Sequence, residues 1–250
     1  MIPSLNPTKK RLDLMLVERG IANTRQRAKS LIMAGKVLVN QARVDKPGIV
    51  ISSVDDIVLK GEDIPYVSRG GLKLAYAIDT FHVDVYNRIC MDVGASTGGF
   101  TDCLLQNHAK KVYAIDVGYG QLAWKIRQDP RVITIERTNI RFMTTDQIPE
   151  RIDIVTIDVS FISLKLVVPV VLQFCNPLSY ILALIKPQFE VGKGMVGKKG
   201  IVKDPDLHHQ VNEELSNFFL NLGLTPHGIV SSPILGAKGN QEFIIVLQKR

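Results

Sequence analysis

Arg88-Ile89-Cys90-Met91-Asp92-Val93-Gly94-Ala95-Ser96-Thr97-Gly98-Gly99-Phe100 is the stretch on which the fold turns. Its first half reads as a buried strand, and its second half is a glycine-rich turn that feeds a helix. A strand, a glycine turn and a helix in that order make the corner of an open α/β sheet where nucleotide-like ligands bind. The glycines let the backbone approach such a ligand closely. The spacing differs from a dinucleotide loop, because Ala95, Ser96 and Thr97 separate Gly94 from Gly98. Nor does a Lys-Ser or Lys-Thr pair close the turn, as it would in a phosphate loop. Asp92, two positions before the first glycine, sits poorly against a pyrophosphate and suits a ligand that carries an ammonium and a sulfonium.

Moving outward, Lys111 to Val117, Val132 to Ile135, Ile152 to Ile157 and Tyr180 to Ile185 are further apolar strands, with helix-compatible segments between most of them. Strands alternating with helices predict a Rossmann-like α/β domain around a mostly parallel sheet. A helix over Leu207 to Leu222 and an antiparallel pair, Gly228 to Ser231 with Phe243 to Leu247, close it. Asp116 ends the second strand 22 residues beyond Gly94, where an acid accepts both hydroxyls of a ligand ribose. That role is common to nicotinamide and methyl-donor sites, so it separates neither; together with Asp92 the pattern favours S-adenosylmethionine, which has no phosphate. Asn139, after the third strand, is placed to meet an adenine edge, beside Val117.

The sequence before this sheet has a different character. Of 31 Lys and Arg and 24 Asp and Glu, residues 1–60 hold 11 and 5, so the first quarter carries nearly all of the net charge of +7. Leu12, Met15 and Leu16 recur at helical spacing up to Gly20, and Thr24 reads as the N-cap of a second helix with Ala28, Leu31 and Ile32 inward. Arg25 and Lys29 lie four apart on its outer side, with Arg27 and Lys36 nearby. Short strands follow. A small basic α+β module of this kind suits a polyanion, and composition alone leaves nucleic acid and anionic lipid both open. Residues 61–71 read as a linker, which divides the chain into 1–60, 61–71 and 72–250.

Several classes are excluded. No apolar run approaches the roughly 20 residues of a membrane span. The first ten residues, with Pro3 and Pro7, lack the apolar core of a secretion signal, and three cysteines without a close pair fit a reducing cytoplasm. Neither the cysteines nor the adjacent His208 and His209, read as solvated surface residues, form a metal site.

The catalytic candidates are Asp158, at the end of the fourth strand, and Lys186, at the end of the fifth. Both reach the carboxyl edge of the sheet, where the glycine turn also lies. A lysine that closes an apolar strand either snorkels to solvent or offers an amine, its pKa lowered by its surroundings, that takes a proton from a weakly acidic hydroxyl. Asp158 and Lys186, with Lys73 before the first strand and Glu242 in the last, resemble the Lys-Asp-Lys-Glu tetrad of ribose 2′-O-methyltransferases of the FtsJ type. The match is closer still to the TlyA family, the bacterial haemolysin A proteins that methylate ribosomal RNA, and covers nearly the whole chain. Arg11-Leu12-Asp13 and Arg25 to Gly35 resemble the RNA-binding S-four domain. Ser68-Arg69-Gly70-Gly71-Leu72-Lys73, Asp92 to Phe100, Asp158 to Phe161, Lys186 to Glu190 and Gln241-Glu242-Phe243 resemble the family's successive catalytic motifs. Asn40-Gln41 stands where the S-four domain usually has Asn-Gly, a departure expected to loosen that hairpin.

The resemblance implies S-adenosylmethionine-dependent 2′-O-methylation of a cytidine in large-subunit ribosomal RNA and, for some members, small-subunit RNA. It implies catalysis by Lys73, Asp158, Lys186 and Glu242. The cofactor would be held by Asp92, Gly94, Ser96, Thr97, Gly98, Gly99, Phe100, Asp116, Val117, Asn139 and Asp158. RNA would be held by Arg11, Arg25, Arg27, Lys29, Lys36, Arg69, Lys198 and Lys199, the last two in a glycine-rich basic segment from Gln188 to Asp204 that reads as a lid. The alternatives are a membrane-lytic haemolysin, as the family's historical name suggests, and a non-catalytic ribosome-binding factor.

Overall fold

The computed structural model describes residues 8–60, 64–192, 194–197 and 200–250. The chain divides into two compact units, Met1–Asp63 and Ile64–Arg250. In the first, β1 (Lys9–Arg11), α1 (Leu12–Glu18), α2 (Arg25–Met33), β2 (Val37–Val39), β3 (Ala42–Val44), β4 (Val50–Ser52) and β5 (Ile57–Leu59) follow one another. Strand β1 pairs with β4, and β2 lies between β3 and β5, all antiparallel. Leu12, Leu16, Ala28, Ile32 and Val37 fill the core between helices and strands. Thr24 caps α2 as its position predicts, its hydroxyl accepting from the Arg27 N–H at 3.1 Å. The hairpin at Asn40-Gln41 is intact: both residues have positive φ, 50° and 68°, as a two-residue turn between twisted strands demands. Asn40 Oδ1 accepts from the Asp56 N–H at 2.9 Å and its Nδ2 donates to Asp55 at 3.0 Å, which compensates for the missing glycine.

The second unit contains α3 (Gly70–Phe81), β6 (Ile89–Val93), α4 (Gly99–Gln106), β7 (Lys111–Ile115), α5 (Trp124–Arg127), β8 (Val132–Ile135), β9 (Ile152–Ile157), α6 (Leu164–Val171), β10 (Cys175–Ile185), α7 (Pro187–Glu190), α8 (Pro205–Asn221), β11 (Leu224–Ser231) and β12 (Phe243–Lys249). The sheet runs β11-β12-β10-β9-β6-β7-β8, with β12 alone reversed against its neighbours. Alternation along each strand sends side chains to opposite faces. Met91, Val93, Val155 and Ile157 pack under α6 and α8, while Cys90, Val112, Ala114 and Ile154 pack under α3, α4 and α5. Asp92 therefore points toward α4.

Two expectations need correction. The linker reading of 61–71 extends too far, because Gly70 and Gly71 already belong to α3, and the Val67 N–H donates to Asp102 Oδ2 at 2.8 Å. A Cβ at Gly71 would lie 2.2 Å from Tyr66 Cγ, so glycine here serves close packing rather than looseness. His208 is also not a solvated residue. Its Nε2 lies 2.9 Å from the Val202 carbonyl and its ring stands edge-on to Phe243, whereas His209 is exposed.

Candidate active site

The carboxyl ends of β6, β9 and β10 bring the predicted residues together because the three strands are parallel and adjacent. After β6 the chain turns through Gly94, with φ +85°, where an added Cβ would come within 2.5 Å of the Asp158 carbonyl oxygen. Only glycine combines that conformation with that closeness. The turn then enters α4, and the cleft above it encloses about 110 Å³ between Ser68, Lys73, Gly94, Ser96, Thr97, Gly99, Phe100 and Asp158.

The four tetrad residues form two ion pairs. Lys186 Nζ lies 2.6 Å from Asp158 Oδ1 and donates to Ser160 Oγ at 3.0 Å. Lys73 Nζ, from α3, lies 2.5 Å from Glu242 Oε2 beside β12. Glu242 is buried, and its carboxylate packs where a Cβ on Gly236 would stand, 1.9 Å from Oε1. A buried carboxylate with a lysine partner costs far less than either charge alone. Asp158 keeps some exposure and lines the cleft, as does Lys73 of the other pair, while Glu242 is withdrawn from it.

The structure separates the expected cofactor residues. Asp116 orders the turn: Oδ2 accepts from the Ser96 N–H at 2.7 Å and Oδ1 from the Gly118 N–H at 2.6 Å. It lines a small recess with Ala95, Ser96, Gln121 and Glu136. A carboxylate has about four acceptor sites, so two amide bonds leave room for hydroxyl donors. Val117 is 69% exposed beside it. Asn139 uses Oδ1 to cap the following turn, accepting from the Arg141 N–H at 3.1 Å.

Asp92 departs from its expected role. It has no exposed surface, and its oxygens accept from Thr101 Oγ1 at 2.6 Å and Thr156 Oγ1 at 3.0 Å, so it offers no direct contact to a bound ligand. Burial raises its pKa to about 6, against the two hydroxyl bonds, and the charge of Asp158 adds to the rise. It lies beneath the site rather than in it.

Two residues near the strand ends lie within the motifs read as catalytic but were given no role of their own. Glu190, on α7, reaches back to cap α6: Oε2 accepts from Ser163 Oγ at 2.6 Å and Oε1 from the Leu164 N–H at 2.8 Å. Its pKa is raised by burial, and the two hydrogen bonds and Lys165 oppose the rise. The bonds tie the loop after Lys186 to the loop after Asp158. Phe161, three residues beyond Asp158, has φ +63° and is 89% exposed, with its ring 4.9 Å from that of Phe189. A bulky residue held in the left-handed region is strained, and such strain concentrates at functional sites.

The residues expected to hold RNA are distributed. Asp13 is fully buried and receives Arg11 Nε at 3.0 Å and Arg25 Nε at 3.0 Å, so an acid of the core anchors two of the arginines. Its pKa falls to about 2, chiefly through the Arg11 hydrogen bond, against the effect of burial. Arg25 is exposed, and Arg27, Lys29 and Lys36 are half-buried. Arg69 donates to the Leu235 carbonyl at 2.8 Å, which fastens α3 to the loop before β12. Lys198 and Lys199 lie outside the described residues, as does Lys193 of the same segment. Its far end is held by Asn240, which is buried: Oδ1 accepts from the Val202 N–H at 3.1 Å, and Nδ2 donates to the Gly200 carbonyl at 3.0 Å.

The family model described as FtsJ-like methyltransferase matches residues 66–249, and the S4 domain model matches residues 10–58. The chain is 52% identical over 243 residues to YqxC of Bacillus subtilis, described as a candidate rRNA methyltransferase, covering 96% of this chain and 85% of that protein. It is 44% identical over 239 residues to the 16S/23S rRNA (cytidine-2′-O)-methyltransferase TlyA of Mycobacterium tuberculosis, covering 95% and 89%. A solved Streptococcus thermophilus chain, described as a candidate hemolysin, superposes with a TM-score of 0.77 at 44% identity, covering 96% of this chain and 88% of that one. Among the described residues no helix is long and apolar enough to cross a membrane. With the sheet order, the glycine turn and the paired tetrad all in place, the chain belongs to the FtsJ-like methyltransferase family and carries an S4 domain in its first unit.

Proposed function

We propose that the chain methylates the 2′-oxygen of a cytidine ribose in ribosomal RNA, with S-adenosylmethionine as methyl donor. The observation that carries this reading is the Lys186–Asp158 pair, 2.6 Å apart, whose aspartate lines a cleft together with the glycine turn. The TlyA relative, named for cytidine 2′-O-methylation, supports the choice of substrate. Large-subunit RNA is the primary substrate in this reading, and such a substrate places the protein in the cytoplasm.

The residues present suit the donor. Asp158 gives the cleft an anionic wall, the turn contains no phosphate-binding lysine, and Asp116 stands ready for ribose hydroxyls. Residues Gly94 to Phe100 would hold the amino-acid end, with Val117 and Asn139 toward the base. When bound, S-adenosylmethionine supplies an electrophilic methyl group on a sulfonium.

This chain's own groups do the rest. Lys186 aligns the ribose 2′-hydroxyl and, as the neutral amine, takes its proton to become the ammonium as the oxygen becomes nucleophilic. Asp158 fixes the amine and balances the resulting charge, and Ser160 restricts its swing. Lys73 and Glu242, balanced and buried, hold α3 against β12 and shape the wall facing the ribose. Phe161 offers an exposed ring beside the pair on which a nucleotide can rest. Arg11, Arg25, Arg27, Lys29 and Lys36 of the first unit, with Arg69, Lys198 and Lys199, hold the RNA through its phosphates.

Transfer of labelled methyl from S-adenosylmethionine to isolated large and small ribosomal subunits, followed by alkaline hydrolysis, tests the reading. A labelled alkali-resistant dinucleotide that contains cytidine supports it, and each subunit assayed alone reports which RNA is used. Label in alkali-sensitive nucleotides only would reject the reaction class. No transfer to either subunit or to protein-free RNA would favour a non-catalytic binding factor.

A further inference from the structure

On the other side of β6 from Lys186, the loops after β7 and β8 present aromatic rings to solvent. Tyr119 is 67% exposed, and the Arg137 guanidinium carbon lies 4.2 Å from its ring centroid. Phe142 is 77% exposed, with the Arg141 guanidinium 5.3 Å from its centroid. Neither arginine forms an ion pair among the described residues. The arrangement is built rather than incidental. Arg137 adopts φ +53°, a costly conformation for any residue with a Cβ, and holds it through its N–H to the Gly118 carbonyl at 3.0 Å. The Thr138 N–H bonds the Asp116 carbonyl at 3.0 Å, and Glu136, paired with Arg127, accepts from the Gly120 N–H at 2.8 Å.

We propose that Tyr119 with Arg137, extended by Arg141 with Phe142, is a second RNA contact of this unit, a stacking shelf for unpaired nucleobases. The proposal rests on the RNA-methylation reading and adds a place for nucleotides away from the reacting ribose. Arg137 covers one face of the Tyr119 ring, and a ring so exposed leaves the other for a base. The guanidiniums supply cationic stacking and attract phosphate. Each of these two rings is paired with a guanidinium, which suits a polyanion with π faces better than a lipid surface or an apolar protein segment. Strand β8 lies four positions from β10 in the sheet, roughly 19 Å at the usual strand spacing. The shelf thus engages nucleotides a few positions from the target and leaves the base at Lys186 to other groups.

The full-length chain would be tested with a fluorescein-labelled oligocytidylate, read by anisotropy without turnover, and with ribosomal subunits in steady state. Tyr119→Ala and Arg137→Gly are the informative variants, and the second relieves the positive φ, so a loss there is not a loss of fold. Each should weaken oligonucleotide binding and raise KM for the subunits about tenfold. Turnover at saturating RNA and S-adenosylmethionine affinity by calorimetry should stay unchanged. Tyr119→Ala should leave the salt dependence of binding as it is, since a ring contact releases no counterions. Unchanged RNA binding in both variants overturns the shelf. So does a loss confined to S-adenosylmethionine affinity, which would make these residues a wall of the cofactor site. Failure of the wild-type chain to methylate rRNA would overturn the function proposed above, while the anisotropy result would still stand on its own.

Discussion

Each unit buries an aspartate completely, and the two are treated in opposite ways. Asp13 in the first unit is met by two arginines, and its pKa falls to about 2. Asp92 in the second is met by two threonine hydroxyls and, among the described residues, by no cation, and its pKa rises to about 6. The contrast follows from what each charge can do. Asp13 fixes two guanidiniums whose other edges remain toward solvent, so the acid preorganises a basic surface. Asp92 lies below the cleft, where its negative charge, once ionised, adds to the field of Asp158 at a site proposed for a cationic donor.

The Lys73–Glu242 pair sharpens this contrast by showing what burial costs when a partner is removed. Glu242→Ala leaves the Lys73 ammonium buried and unpaired, and should destabilise the second unit by about 3–5 kcal/mol, read as a drop in Tm. If Leu at both positions restores Tm without restoring activity, the pair's role in the reaction is separated from its role in folding. Asp13→Ala should cost about 1–2 kcal/mol, since its arginines are partly exposed and already solvated. It should also weaken RNA binding although it removes a negative charge. Tighter binding would show that Asp13 only dilutes the basic surface.

Glu190→Ala should lower kcat about tenfold with a smaller change in KM for RNA, because it releases the loop after Lys186 from the helix that follows Asp158. Glu190→Gln, which keeps an acceptor for the Leu164 N–H, should recover most of that loss. Equal loss in both variants would mean that the carboxylate's charge matters rather than the tether.

The smallest expected effect concerns pH. A folded-state pKa raised above the unfolded value means that Asp92 contributes stability below about pH 4 that is lost as pH rises through about 6. Asp13, depressed, contributes stability above about pH 4 that is lost as pH falls through about 2. Asp92→Asn should therefore raise Tm more at pH 8 than at pH 5, and should flatten the decline in S-adenosylmethionine affinity expected as wild type is acidified through pH 6. An Asn variant that loses stability equally at both pH values would refute a titrating Asp92.

What the sequence made legible was local. The apolar strands, the glycine turn, the Thr24 cap and a lysine that closes an apolar strand announce themselves within a few residues, and they placed β6 to β9 within one or two residues, while β10 begins five residues before the expected Tyr180. What it hid depends on distant closure. Lys73 and Glu242 are 169 positions apart, and only family resemblance coupled them. Asp92 had the right place in the motif, but its side-chain direction is set by strand alternation and by Thr156 on a neighbouring strand. Glycines 70 and 71 read as a flexible linker because composition cannot distinguish looseness from the close approach of Tyr66.

The central claim is that the Lys186–Asp158 pair performs the transfer while the cofactor and the RNA are held elsewhere. It is tested most directly by comparing Lys186→Ala with the wild-type chain in one single-turnover experiment, with cofactor and RNA affinities measured alongside. Both dissociation constants should stay within about twofold, and 2′-O-methylcytidine should fall by about a hundredfold or more. A variant that still forms it at near wild-type rate would contradict the account.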